Sequence, residues 1–215
     1  MNKIELFSTP IIYIENFLDD NVRKSIVKHI KDNSNVFNNL GNVEGVGYGN
    51  FKISHYKNDK FKFKDGDYIV DYFTNNVPEC KNFKQDIQNV IDKTSIELGF
   101  KNLKVDNSWI TIMDKDSSLM KHDHIPSKLS GVIYLNIDDS SSDIYFYNPN
   151  DKIKLYKFDN IDKNNCINFN FKPKNNDLII FPSWIEHDSS YKVNQTTNRI
   201  ALSFNSLWKE KLKSE

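Results

Sequence analysis

Arginine is nearly missing from this 215-residue chain: Arg23 and Arg199 stand alone against a large excess of lysine. Cysteine is as scarce. Cys80 and Cys166 build no disulfide framework and form no CxxC, so a stapled secreted scaffold is excluded and a reduced compartment is the natural expectation. Net charge is missing too. The 29 basic and 29 acidic residues cancel and are spread along the chain, which gives no support to general nucleic-acid binding or a membrane-surface role. No apolar run approaches the length of a membrane span. The opening MNKIELFSTPIIYIENFLDD has too short an apolar stretch, and acidic residues too early, for a secretory signal. Together these point to a cytoplasmic protein.

What is present suits one medium-sized domain, residues 1–215, long enough to bury a core without disulfides. No internal repeat or change of composition marks a linker. A β-branched run, IIYI, lies within Leu6–Phe17. Asp19 or Asp20 is placed to cap a helix running to about Asn33, with Ile26, Val27 and Ile30 on one face. The segment NNLGNVEGVGYGN reads as loop, and Lys52 to Gly66 as a solvated hairpin or loop, with a substrate-contacting lid as the alternative. Asn82 to Leu98 is the clearest helix, with Ile87, Val90, Ile91 and Ile96 as its apolar face and Gly99 at its end. From Trp109 onward the chain changes to short strands separated by Asn, Asp, Ser and Pro. The candidates are Ser108–Asp114, Leu129–Leu135, Asp143–Tyr147, Ile167–Phe171, Asp177–Phe181 and Arg199–Asn205, with others around His122 and Tyr191. The fold class is therefore mainly β (α+β): a sandwich or jelly roll over about residues 101–208, flanked by N-terminal helices.

Three of the five histidines fall in this β-rich half. On a strand, His122 and His124 project to one face with Asp123 opposite, so two imidazoles reach one metal without backbone distortion. His187, following DLIIFPSWIEH, supplies a third ligand from a remote strand. A local bulge would instead turn Asp123 inward and give two His and one carboxylate, the facial set of many non-haem iron sites. Twelve positions after His187 comes Arg199, opening the strand RIALSFN. Ile200, Leu202 and Phe204 share one face, suited to packing outward on helices. Arg199, Ala201, Ser203 and Asn205 share the other, suited to lining a cavity. Arginine grips a carboxylate as a planar fork and is costly to bury unpaired, so a carboxylate guest is expected at Arg199. Such a site matches an iron oxygenase that uses an organic acid as co-substrate. His29 and His55 read as structural or exposed.

At these residues the chain resembles the 2-oxoglutarate- and Fe(II)-dependent oxygenase superfamily, and within it small hydroxylases of bacteria and phages related to prolyl hydroxylases. The resembling segments are ELFSTPIIYIENF, NSWITIMDKDSSLMKHDHIPSKLSGVIYLN and NDLIIFPSWIEHDSSYKVNQTTNRIALSFN. The resemblance implies a double-stranded β-helix, Fe(II) on His122, His124 and His187, and the distal carboxylate of 2-oxoglutarate on Arg199. It adds Tyr134 as a hydrogen-bond partner of that carboxylate, and Ser130 as a further contact from the same strand face. Relatives carry Ser two residues after the arginine, where this chain has Ala201; Ser203 is the candidate substitute. Asn176 stands where a glycine is common. The implied activity is hydroxylation of a peptide prolyl or other residue, or of a small metabolite, with O2 consumed and succinate and CO2 released. The compartment is the cytoplasm of a bacterium, or of the host cell if the protein is phage-encoded. Two other classes stay open: a cupin-like three-His metal protein that does not use 2-oxoglutarate, and a non-catalytic jelly-roll binding module.

Overall fold

The computed structural model describes residues 8–33, 46–54, 69–163, 165–189 and 191–209. Among the described residues, three α-helices lie on one side of a sheet of six strands. Helix α1 spans Asp20–Asp32, and the Asp19 carboxylate accepts the Asn21 N–H at 2.8 Å as its N-cap. Its Ile26, Val27 and Ile30 stripe is buried, as the spacing predicts. Helix α2, Ile69–Asn76, is an element that sequence patterning did not anticipate; at eight residues it is too short to show a helical period clearly. Helix α3 spans Phe83–Glu97 and buries Phe83, Ile87, Val90, Ile91 and Thr94. Gly99 ends it at φ +78°, the left-handed conformation open to glycine, and the Phe100 N–H closes on the Ser95 carbonyl at 2.7 Å.

Ile96 does not belong to the apolar face of α3. It is 77% exposed, while Thr94 and Ser95 are buried. Nine residues beyond Ile87, at roughly 100° per residue, it stands about 180° around the helix from the buried stripe.

The described residues also form eleven strands: β1 (Ile12–Ile14), β2 (Gly47–Tyr48), β3 (Phe51–Ile53), β4 (Leu103–Met113), β5 (Ser118–Leu119), β6 (Leu129–Asn136), β7 (Ile144–Tyr147), β8 (Asn168–Phe171), β9 (Leu178–Pro182), β10 (His187–Asp188) and β11 (Arg199–Trp208). The large sheet runs β1-β9-β6-β11-β4-β3, a smaller one β10-β7-β8, and β2 pairs with β5. Every pairing is antiparallel. The two facing sheets form a double-stranded β-helix, the jelly roll expected from the strand-rich half.

Some boundaries differ from the sequence reading. Strand β4 starts at Leu103 rather than Ser108, and β11 continues to Trp208. The Gly-rich segment contributes the short strand β2, and Lys52 sits inside β3 at the edge of the large sheet. His122 makes one isolated bridge to His187, and no strand forms at Tyr191. Residues 55–68, including His55 and most of the Lys-rich segment, lie outside the described residues.

Two apolar layers result. The outer one joins the helices to Ile110, Ile112, Leu129, Ile133, Leu178, Ile180, Ile200, Leu202 and Phe204 of the large sheet. The inner one fills the space between sheets with Val132, Tyr134, Ile144, Phe146, Ile179, Phe181 and Ala201. Strand β9 is buried on both faces, which explains its unbroken run LIIFP. At its entry Asn176 adopts φ +73° and does more than a glycine there: its carboxamide accepts from the Leu18 N–H at 3.0 Å and donates to the Leu18 carbonyl at 2.6 Å, tying β9 to the chain ahead of α1. Among the described residues no helix is long and apolar enough to cross a membrane.

The burial pattern of α3 gives a direct test. Ile91→Ala is expected to cost about 2–5 kcal/mol, as for a large side chain removed from a packed core. Ile96→Ala is expected to stay within about 0.5 kcal/mol of wild type. Urea denaturation of both variants checks the assignment.

Candidate metal centre and carboxylate pocket

The inward faces of β4, β6, β9 and β11 form one wall of a cavity of about 350 Å³. Strand register arranges that wall in rows. Asn107, Asn205, Ser130 and Phe181 make one row; Trp109, Ser203, Val132 and Ile179 the next; then Thr111, Ala201 and Tyr134; and last Met113 beside Arg199. A β-bulge between Ile200 and Ala201 shifts the register against β6.

Over this wall hang three imidazoles. His122 and His187 are joined by a pair of backbone hydrogen bonds, His122 N–H to His187 O at 3.0 Å and His187 N–H to His122 O at 2.9 Å. The His124 N–H donates to the Ser183 carbonyl at 2.8 Å. The chain at His122–His124 is therefore held by two separate segments without forming a regular strand, yet both rings face the same point, as alternation predicts. Ring centroids lie 4.4 to 5.0 Å apart among the three residues. One ring nitrogen from each falls within 4.8 Å of the others. Small ring rotations close that span onto an ion at about 2.1 Å per bond.

The donor chemistry fits a divalent metal. Nδ1 of His122 is 2.6 Å from the Met120 carbonyl and Nδ1 of His187 is 3.0 Å from the Ile185 carbonyl. Each Nδ1–H is thus spent on the backbone, and Nε2 is left with its lone pair toward the cavity. Burial, followed by the neighbouring His122 and His124, holds His187 well below the ordinary histidine pKa, so its ring is neutral as a ligand must be. Asp123 is exposed, and its carboxylate accepts the Ile125 N–H at 3.1 Å. It is not in the cluster; His124 is.

Arg199 is only 4% exposed. Its Nε donates to the Ser142 carbonyl at 3.3 Å and an Nη to Met113 Sδ at 3.4 Å, both long contacts to neutral acceptors. Among the described residues it forms no salt bridge, although a buried guanidinium normally has one. Its carbon sits 5.3 Å from the Tyr134 ring centre. Burial pulls the guanidinium below its ordinary pKa, opposed by Tyr134 and Asp143. Burial pushes the Tyr134 phenol up to about 12, the arginine charge acting against it. The phenol therefore keeps its proton and is available as a donor.

Ser130 and Ser203 line the same wall. The Ser130 hydroxyl donates to Asn205 Oδ1 at 2.7 Å and lies 2.8 Å from Ser183 Oγ. Ser203 stands four residues from Arg199, about 13 Å along the strand at roughly 3.3 Å per residue, and pairs with Trp109, whose ring is 5.5 Å from His124. His29 has a structural partner, with Nε2 at 2.9 Å from the Tyr72 hydroxyl. Asn107, Trp109 and Asp143 also line the cavity and were not singled out from sequence. Starting β4 five residues earlier would have put Asn107 on the inward face by parity alone, in line with Trp109 of the candidate strand Ser108–Asp114. Asp143 lies at the mouth of a loop and carried no such signal.

Residues 107–205 match the family described as "Putative 2OG-Fe(II) oxygenase". No curated protein sequence matches the chain. Among solved structures, a prolyl-4-hydroxylase of Pseudomonas putida aligns over 95% of this chain and 94% of its own, at 10% identity and a TM-score of 0.56. A prolyl hydroxylase of Trichoplax adhaerens, solved with a hypoxia inducible factor peptide fragment, aligns over 92% and 83% at 15% identity and a TM-score of 0.61. HygX of Streptomyces hygroscopicus, solved with nickel and 2-oxoglutarate, aligns over 94% and 84% at 9% identity and a TM-score of 0.55. At such identities the likeness is one of fold. Residues 107–205 thus carry the likeness to a family of 2OG-Fe(II) oxygenases, on a double-stranded β-helix like that of these solved structures.

Proposed function

We propose that this chain is a hydroxylase in which His122, His124 and His187 hold Fe(II) and Arg199, with Tyr134, holds the distal carboxylate of 2-oxoglutarate. The observation that carries the reading is the pairing, in one cavity, of a three-imidazole cluster with a buried guanidinium that forms no salt bridge among the described residues. Three neutral imidazoles leave the charge of a divalent ion uncompensated. A dicarboxylate supplies one anionic end to the ion and the other to Arg199, and so offsets two desolvated positive charges at once.

Bound iron and 2-oxoglutarate together supply oxygen activation coupled to oxidative decarboxylation, releasing succinate and CO2 as a substrate C–H bond is hydroxylated. The protein's own contribution is positional. The carbonyls of Met120 and Ile185 fix the tautomers of His122 and His187. Arg199 lies two rows from the Trp109–Ser203 row beneath the metal cluster, a gap suited to the arginine side chain and a five-carbon diacid end to end. The Tyr134 proton and the guanidinium fork give directional donors for one carboxylate. Val132, Ala201, Ile144 and Phe181 exclude water from the space between. Ser130 and Ser203 complete the same wall on the metal side, with Ser203 available to the bound co-substrate. The substrate is a peptide prolyl or other residue, or a small metabolite, oxidised at a carbon held over the metal.

Metal binding separates the ligand assignment from its nearest rival. His124→Ala is expected to weaken Fe(II) or Co(II) affinity by more than about tenfold, whereas Asp123→Asn should leave it unchanged. Equilibrium dialysis under nitrogen measures both, and equal losses would return the carboxylate to the ligand set.

The co-substrate assignment is tested by adding Fe(II) and then 2-oxoglutarate anaerobically. A visible metal-to-ligand charge-transfer band is expected in wild type and none in His187→Ala. In Arg199→Ala the half-saturating 2-oxoglutarate concentration should rise about 10- to 100-fold, the value of a charge-assisted contact. Wild-type protein that binds iron without developing the band would sink the assignment.

A further inference from the structure

The cavity has a second polar end, on the far side of the histidines from Arg199. Asn205 and Asn107 are register partners on β11 and β4, so their side chains project side by side from the same face of the sheet. Asn205 is 5% exposed. Its Oδ1 is already engaged by the Ser130 hydroxyl at 2.7 Å, and Ser130 is braced by Ser183 at 2.8 Å. That bond orients the Asn205 carboxamide and leaves Nδ2, a double donor, without a partner among the described residues. Beside it the Asn107 Oδ1 is buried and accepts no hydrogen bond. Both residues line the cavity. A buried polar atom left unsatisfied costs about 1–3 kcal/mol, so the orphaned Asn107 Oδ1 beside the unpartnered Asn205 Nδ2 marks a place in the cavity wall built for a guest.

The guest's chemistry follows from the pair. One donor and one acceptor stand on adjacent strands whose paired Cα atoms are about 4.5–5.5 Å apart. A residue of an extended peptide directs its own N–H and C=O to the same side, and antiparallel strands exchange just such a pair of bonds. A hydrocarbon matches neither group, and a carboxylate matches only the donor. The row's other neighbours place the pair at the metal: Ser203, two residues along β11, pairs with Trp109, and the Trp109 ring is 5.5 Å from His124. A peptide residue gripped there presents its side chain to the metal cluster, opposite the co-substrate pole.

We propose that Asn107 and Asn205 form the substrate subsite and bind the backbone N–H and C=O of one extended peptide residue, Asn107 Oδ1 as acceptor and Asn205 Nδ2 as donor. This deepens the hydroxylase reading by assigning it a peptide substrate, and rests on that reading for which pole faces the substrate.

The test uses two probes that differ at one atom: N-acetylglycine N-methylamide, and O-acetylglycolic acid N-methylamide, in which an ester oxygen replaces the residue N–H. Each is titrated into protein loaded with 2-oxoglutarate and Zn(II), a diamagnetic stand-in for iron, while the Asn side-chain amide signals are followed by nitrogen-15 NMR. The amide probe is expected to shift the Asn205 and Asn107 signals saturably and to bind about fivefold or more tighter than the ester, the value of one hydrogen bond to an otherwise unsatisfied group. Asn107→Ala should erase that preference by weakening the amide probe alone, and Asn107→Asp, which keeps an acceptor, should retain a preference. Asn205→Asp should weaken both probes by about tenfold, since each still offers the carbonyl that loses its donor. A purely structural role for the pair would lower affinity for both probes alike in Asn107→Ala. Equal affinities in wild type, no saturable shift with either probe, or a preference that survives Asn107→Ala overturns the proposal. The charge-transfer band with Fe(II) is read separately. Its absence together with an intact probe preference would remove the co-substrate assignment and leave the peptide subsite standing.

Discussion

Strand β11 is hydrogen-bonded on both edges, to β4 and to β6, over nearly its whole length. Because strand side chains alternate with a period of two, this double pairing commits Ile200, Leu202 and Phe204 to the helical layer and Arg199, Ala201, Ser203 and Asn205 to the cavity. A slip of one residue would drive the guanidinium into the apolar layer and expose three large side chains. Packing guards the register at one further point. Gly131 lies opposite Phe204, and a Cβ there would come within 2.2 Å of the ring, so the sheet closes only with a glycine under that phenylalanine. The position of every polar group in the cavity wall depends on this one strand staying in place.

The cavity is electrostatically incomplete by itself. At one end is a buried guanidinium that makes long contacts to Ser142 O and Met113 Sδ and no salt bridge among the described residues. In the middle are three imidazoles, one of them held neutral by burial and by its neighbours. At the other end are carboxamide groups with unused hydrogen-bonding capacity. A stable fold ordinarily pairs such groups internally. Their alignment along one wall, with apolar side chains between them, is the arrangement on which the proposed uptake of a metal, a diacid and a substrate rests.

Much of this was legible from residue order. The parity of RIALSFN separated packing side from cavity side correctly, and the burial of α1 followed from Asp19 and the Ile26, Val27, Ile30 spacing. His122, His124 and His187 were recognisable as a group before their geometry was known, and the structure brings their rings together. Ile96 was misread because a β-branched residue near a helical stripe looks like part of it until the angle is counted. Asn107 was missed because β4 begins in LKVD, whose charged residues disguise a strand lying at the sheet's exposed end.

Residue order by itself determined the local preferences: which segments could be strands, which face of each was apolar, and which side chains had the chemistry to bind a metal or a carboxylate. It did not determine which of those side chains meet. His122 and His187 are 65 positions apart and are joined by two backbone hydrogen bonds that no local rule specifies. The exclusion of Asp123 in favour of His124 depends on a turn at Ile125 and on the Ser183 carbonyl, and so on the closing of one segment over another. Asn107 and Asn205 are neighbours only because β4 and β11 pair across nearly a hundred residues of intervening chain. Hydrophobic periodicity acts within a segment, whereas register and loop closure act between segments, and the cavity exists only at the second level.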